Sequence, residues 1–93
     1  MASIDVTATG DGQYRVVVTE DGDASEHEVT VPKGYPQQIG VADVPTDEVV
    51  RASFLFLLER EPQEQIMARF ELPVIGEYFP DYEEELPGLL DRG

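Results

Sequence analysis

His27 is the one histidine of the chain, and cysteine is absent. Histidine titrates near neutral pH and often acts as a general acid or base, so position 27 is the first place to look for catalysis. However, His27 alternates with Val29 and Val31 in a strand-like pattern, and no serine nucleophile motif accompanies it. A single histidine without cysteine also falls short of the common zinc ligand sets. The sequence therefore predicts a packed or edge histidine and no zinc site.

Two short acidic, glycine-containing segments resemble ligand loops but are incomplete. The segment "DGDASE" (21–26) matches the start of a calcium loop, yet Pro32 stands where the bidentate glutamate is required. The segment "GDG" (10–12) is too short for a phosphate loop, and no lysine follows it. Paired carboxylates carry little information in so acidic a chain. We therefore expect no catalytic residue, no metal site and no cofactor, and predict that the protein is not an enzyme.

Acidity is the strongest compositional feature. Twenty Asp and Glu residues face six Lys and Arg residues, which gives a formal net charge of −14 at pH 7 and a pI near 4.1. Such a surface is a poor partner for nucleic acid or for anionic membranes, because both bind through Lys and Arg. Three explanations stay open: simple solubility, adaptation to a high-salt cytoplasm, and complementarity to a basic partner, including mimicry of nucleic acid.

Length and hydropathy predict one soluble domain covering residues 1–93. The chain is 41% hydrophobic, which is enough for a modest core. No apolar run of about 18 residues is present, so no membrane span is expected. The start "MASIDVTATG" lacks the basic and apolar regions of a secretory signal. These features, with the absence of cysteine, favour a cytoplasmic protein.

The first third of the chain predicts three antiparallel strands, within about residues 3–31. Apolar and polar residues alternate in "SIDVTAT", "QYRVVVT" and "EHEVTV", and turns containing Asp-Gly separate these segments. Residues 32–45 contain three prolines and two glycines and are expected to form a connection.

From Thr46 the hydrophobic period changes to that of a helix, which we expect to run to about Glu61. Thr46 is expected to be the N-cap, and Asp47 and Glu48 suit the first turn. One apolar arc of this helix comprises Val49, Val50, Phe54, Phe56, Leu57 and Leu58. The predicted fold class is therefore α+β, with a three-stranded antiparallel meander packed on one long helix.

Proline punctuates the remainder of the helical region, which is predicted to extend over about 46–87 and to be followed by a tail at 88–93. Since proline is favoured at the first position of a helix, short helices are expected after Pro62, Pro73 and Pro80. The first of these helices is expected to bury Ile66, Met67 and Phe70. Farther on, Tyr78, Phe79 and Tyr82 form an aromatic stripe beside an acidic run, at spacings typical of a core.

Two residues interrupt the pattern of the long helix. Arg60 lies near the apolar arc, and is either a structural cation paired with a carboxylate or a side chain that reaches water along its own stem. Leu55 lies on the polar side. It is either exposed, covered by the aromatic stripe, or covered by a second subunit. The possible interaction surface therefore consists of Leu55, Tyr78, Phe79 and Tyr82, and a monomer is favoured over a homodimer.

Residues 49–86 resemble a group of small prokaryotic proteins that carry no assigned function. The resemblance rests on a pattern close to S-F-x-F-L-L-E-R-E-P, then an I and an F, then V-I-x-x-Y-F-P-x-Y-E. Its residues here are Ser53, Phe54, Phe56 to Pro62, Ile66, Phe70, Val74, Ile75, Tyr78 to Pro80, Tyr82 and Glu83. The resemblance implies a standalone hairpin-plus-helix domain and no particular activity.

The sequence favours a small non-catalytic protein-binding or regulatory module, with a protein partner whose identity is unknown. A nucleic-acid mimic or a binder of a basic partner is the second alternative, and a small enzyme is the third.

Overall fold

The computed structural model describes residues 3–92, with side chains described for residues 3–90. The α+β class is confirmed. Strands β1 (Ser3–Gly10), β2 (Gln13–Glu20) and β3 (Asp23–Thr30) form two consecutive antiparallel hairpins, as the alternating pattern predicts. A fourth strand, β4 (Arg69–Glu71), extends the sheet in the order β1-β2-β3-β4.

The tight turn between β2 and β3 has the backbone that its sequence demands. Asp21 and Gly22 connect the paired residues Glu20 and Asp23, and both adopt positive φ angles, 53° and 84°. An Asp-Gly pair in this conformation matches the right-handed twist of a hairpin. In the first turn, Gly12 also has a positive φ of 67°, and a Cβ there would lie 2.8 Å from the carbonyl oxygen of Val31. Glycine is therefore required at position 12 for two reasons.

The segment after Pro62 differs from its prediction. Instead of a helix burying Ile66, Met67 and Phe70, it forms a 3-10 turn at Gln63–Gln65 and then β4, which pairs parallel to β3. Ile66 and Phe70 are buried, but Met67 is exposed. The structure shows why the strand is favoured: Phe70 lies opposite Val29, and backbone hydrogen bonds on either side hold the strand in register.

The helices differ in position and length from those that the sequence predicts. Helix α1 (Tyr35–Gln38) lies in the predicted connection, and α2 (Thr46–Leu58) ends before the expected Glu61. Asp47 and Glu48 occupy the first turn of α2, but no side chain caps that helix. Helix α3 (Val74–Tyr78) follows Pro73, and α4 (Tyr82–Arg92) begins two residues after Pro80.

The predicted end of the helical region at Pro87 is wrong, because Pro87 lies inside α4. Proline in a helix removes one backbone donor and crowds the preceding turn. Here Leu86 and Leu89 are both buried and compensate by packing on either side of the proline. The predicted tail is thus helical as far as Arg92, while Gly93 lies outside the described residues.

The core lies between the sheet and the helices. Val16, Val18 and Val29 are buried on the sheet face that α2 covers. Helix α2 packs on β1 and β2, and α4 packs on α2. Within residues 3–92, none of the helices combines the length and apolar character that a membrane span requires.

Candidate protein-interaction site

His27 is a core residue held between two hydrogen-bond partners. Its Nδ1 atom lies 2.8 Å from the carbonyl oxygen of Met67, so Nδ1 carries a proton and donates it. In the neutral imidazole, Nε2 then accepts from the hydroxyl of Ser25 at 2.8 Å. The ring is buried, with its centroid 5.3 Å from that of Phe54. This geometry satisfies both nitrogens and links β3 to the segment that leads into β4.

The aromatic stripe does not form one surface, because its three members lie at different depths. Tyr82 is fully buried, Phe79 is half-buried, and Tyr78 is 67% exposed. The hydroxyl of Tyr82 lies 2.6 Å from Ser53 Oγ, which itself donates to the carbonyl oxygen of Val49. Tyr82 is therefore the donor of that pair. Burial raises the pKa of Tyr82 and keeps its hydroxyl protonated.

Part of the acidic run beside the stripe anchors α4. Glu83 accepts a 2.9 Å hydrogen bond from the hydroxyl of Tyr35, whose pKa is raised mainly by burial. Asp81 and Glu85 both accept hydrogen bonds from Nη2 of Arg60. Tyr82 between them reaches Ser53. The segment thus ties α4 to three other parts of the fold, which accounts for acids next to aromatic residues.

Arg60 lies over an aromatic ring and beside two carboxylates. Its Cζ atom lies 3.6 Å from the centroid of the Phe56 ring, and its side chain is 24% exposed. One guanidinium nitrogen contacts Asp81 at 2.8 Å, and the other donates to the carbonyl oxygen of Phe56 at 3.3 Å. The hydrogen bond from Arg60 lowers the pKa of Asp81.

Leu55 lies apart from the aromatic residues with which it was grouped. It is 40% exposed and borders a groove of about 470 Å³ beside β1. We call this the β1 groove; it is lined by Val6, Asp47, Glu48, Arg51, Ala52, Leu55, Leu89 and Leu90. None of Tyr78, Phe79 and Tyr82 lines it. The four residues of the predicted interaction surface are therefore divided between the core and two separate grooves.

The second groove is more apolar and lies beside β4. It has a volume of about 380 Å³ and is formed by the end of α2, the 63–67 turn, β4 and α3. We call this the β4 groove; it is lined by Leu57, Glu61, Gln65, Ile66, Met67, Phe70, Ile75, Tyr78 and Phe79. Among the described side chains, the large apolar ones with substantial exposure are Leu55, Met67 and Tyr78. Two of these three border the β4 groove.

Tyr78 and Phe79 were predicted from the sequence to belong to the interaction surface, but Met67 was predicted to lie in the core. The misassignment followed from the helical period expected after Pro62. A signal was present in the alternation of Arg69, Phe70 and Glu71, which is that of a strand with one buried side chain.

No group of three or more His, Asp or Glu side chains able to hold a metal is found within the side chains described for residues 3–90. Comparisons with protein-family models, with curated proteins and with solved structures find no match for this chain.

Proposed function

We propose that this protein is a non-catalytic protein-binding module, and that it binds a segment of its partner in the β4 groove. The observation that carries the proposal is the clustering of Met67, 40% exposed, and Tyr78, 67% exposed, at one apolar concavity. Methionine and tyrosine are enriched at protein interfaces, and exposed apolar surface grouped in a groove favours an interaction site.

The partner is expected to insert an apolar or aromatic anchor. The groove volume of about 380 Å³ is at the lower end of the pocket range of about 300–1,000 Å³. Its floor is made of buried Leu57, Phe70 and Ile75, which offer hydrophobic contact and no hydrogen-bonding side chain. Met67 at the rim has an unbranched, polarisable side chain that can adapt to different anchors.

The charge of the protein suggests what should flank this anchor. Glu61 lines the groove, and the chain as a whole carries −14. Lys or Arg beside the anchor would be attracted over a distance of about 10 Å at moderate salt. The proposal therefore unites two alternatives, a protein-binding module and a binder of a basic partner.

A nucleic-acid mimic is less well supported. Mimicry needs a row of free carboxylates on one face. However, Asp81, Glu83 and Glu85 of the C-terminal acidic run are engaged by Arg60 and Tyr35.

The test is selection from a random peptide library displayed on phage, with the folded protein as bait. We expect enriched peptides to share an apolar or aromatic anchor flanked by Lys or Arg. Synthetic peptides of the enriched sequences should bind Met67→Ser and Tyr78→Ser roughly tenfold more weakly than wild type, since removing an interface anchor commonly costs more than about 1 kcal/mol. Glu61→Gln should weaken binding less and reduce its salt dependence.

The matched control is Leu55→Ser, because Leu55 and Met67 are equally exposed, at 40% each, but border different grooves. Binding that survives Leu55→Ser and is lost in Met67→Ser supports the β4 groove. A library that yields no specific peptide, or peptides insensitive to both groove variants, would refute the proposal.

A further inference from the structure

The outer edge of β1 has little protection against pairing with another strand. Among the described residues, β1 pairs only with β2 and forms an edge of the sheet. It is eight residues long, contains neither proline nor lysine, and has Asp5 as its one charged side chain. Its register shift lies near the turn, between Ala8 and Gly10, so Ser3 to Ala8 pair regularly. Proteins usually block such edges with prolines, charges or short strands.

The apolar surface beside this edge is also suited to being covered by another protein segment. The β1 groove runs beside the edge, with Leu55 40% exposed and Val6 and Leu90 half-buried. Helix α2 packs more closely on β1 than on β2, so its outer face is near the same edge. A strand added to β1 would therefore gain both main-chain hydrogen bonds and apolar contact.

We propose that the occupant is a second copy of this chain, joined through antiparallel β1–β1 pairing about a twofold axis. Such an axis keeps the helices of both copies on the same side of the extended sheet and brings their β1 grooves together. The pairing would create one continuous eight-stranded sheet from two four-stranded sheets.

The sequence of β1 fits this pairing in either of two registers. Opposed residues must lie on the same face of the sheet. With Val6 opposite Val6 of the second copy, Asp5 faces Thr7; with Thr7 opposite Thr7, Asp5 faces Thr9. The single carboxylate of the strand is thus kept away from its own copy in both registers, and like-charge opposition is avoided.

Salt distinguishes this assembly from the binding proposed for the β4 groove. Two chains of −14 repel each other, so screening should strengthen self-association. Binding of a basic peptide should weaken under the same conditions. The self-association proposal is also independent of the proposed function, because it uses a different groove.

The test is sedimentation equilibrium over micromolar to millimolar concentrations, from about 0.1 M to about 1 M KCl, where the Debye length falls from about 10 Å to about 3 Å. We expect a monomer–dimer equilibrium that tightens with salt. Thr7→Glu should weaken it about tenfold or more, since the new carboxylate faces Asp5 or itself in the two registers. Thr19→Glu is the matched control: it makes the same change on the same open face, but on the central strand β2.

Leu55→Ser provides a second variant if Thr7→Glu does not fold, and it too should weaken the dimer. Amide hydrogen exchange in β1 should slow as protein concentration rises. A chain that stays monomeric throughout would overturn the proposal. So would a dimer that is unaffected by both Thr7→Glu and Leu55→Ser, or one weakened equally by Thr19→Glu.

Discussion

At the residue scale, Arg60 contributes both packing and charge. Its guanidinium stacks on Phe56 and donates to Asp81 and Glu85. Because the side chain is still 24% exposed, solvent screening reduces the electrostatic part of its contribution to stability. We expect Arg60→Met to lower the free energy of unfolding by about 1 kcal/mol, the sum of a weak cation–π contact and a partly screened ion pair.

Chemical denaturation measures this loss, and Arg51→Met is the matched control. Arg51 is exposed on α2, which ends shortly before Arg60, and it has no ion pair among the described side chains. Its replacement should change stability by less than about 0.5 kcal/mol, as surface substitutions usually do. If Arg60→Met has an equally small effect, Arg60 reaches water along its stem and is not a structural cation.

The same contact predicts a pH dependence through Asp81. The hydrogen bond from Arg60 lowers the pKa of Asp81 in the folded protein, so the unfolded chain binds a proton more readily. The stabilisation is therefore complete above the ordinary aspartate pKa of about 3.9 and is lost as pH falls through the lower folded pKa. The difference in unfolding free energy between wild type and Arg60→Met should shrink below about pH 4. A difference that is constant from neutral to strongly acid pH would contradict this linkage.

The two partners of the Ser53–Tyr82 hydrogen bond should differ in how much stability is lost when each is replaced. Tyr82→Phe removes a donor but leaves Ser53 bonded to Val49, so it should cost about 0.5–1.5 kcal/mol. Ser53→Ala leaves the buried tyrosine hydroxyl without a partner, which should cost about 1–3 kcal/mol, slightly offset by the better helix propensity of alanine. When Tyr82→Phe is added to Ser53→Ala, the free energy of unfolding should fall only slightly further or should rise. Additive losses in this double-mutant cycle would show that the two groups act independently.

At the element scale, the buried His27 links β3 to the segment that leads into β4. Nδ1–H of His27 donates to the carbonyl of Met67, and the next backbone bond runs from Glu28 N–H to Ala68 at 2.8 Å. His27→Phe keeps a ring against Phe54 but removes this link. We expect a loss of about 1–3 kcal/mol and faster exchange of the Leu72 amide, which is bonded to Thr30 across the β3–β4 pair.

Ser25→Ala serves as the control, because it removes the other hydrogen-bond partner of His27 without touching the link to Met67. Amide exchange followed by NMR should then show Leu72 protected as in wild type. Equal acceleration in the two variants would mean that His27 supports the core in general and not β4 in particular.

The elements also show which patterns the sequence could predict. The hairpins were predictable because alternation and Asp-Gly turns are local signals, and the apolar arc of α2 is equally local. Strand β4 was not, since three residues pairing parallel to β3 are stabilised by contacts between segments about 40 residues apart. Pro87 likewise suggested a helix end, but tertiary packing of Leu86 and Leu89 outweighs that local preference.

At the scale of the whole molecule, the net charge was evident from the composition but its arrangement was not. Among the described side chains, Arg15, Arg60 and Arg69 each contact carboxylates, two of them on the open face of the sheet. The sequence predicts a carboxylate partner for Arg60 but does not identify Asp81, because only the fold brings residues 60 and 81 together. The remaining acids exceed the available cations, so most of the charge is balanced by solvent ions.

This excess predicts that stability rises with salt. With a net charge of −14 on 93 residues, repulsion should weaken the fold at low ionic strength, and screening should relieve it. The melting temperature should therefore increase from about 0.05 M to about 1 M KCl, and KCl is preferred because sulfate strengthens apolar burial generally. The measurement is made in the Thr7→Glu background at low micromolar concentration, so that self-association does not contribute to the rise.

A charge-reduced chain separates repulsion from other effects of salt. Asp43, Glu64 and Glu71 are exposed and have no ion pair within the described side chains. Neutralising all three as Asp43→Asn, Glu64→Gln and Glu71→Gln should raise the melting temperature at low salt. The triple variant should also gain less from added KCl than its parent, since less repulsion remains to be screened. Parallel salt curves for the two proteins, or a melting temperature that does not rise with KCl, would show that the negative charge places no strain on this fold.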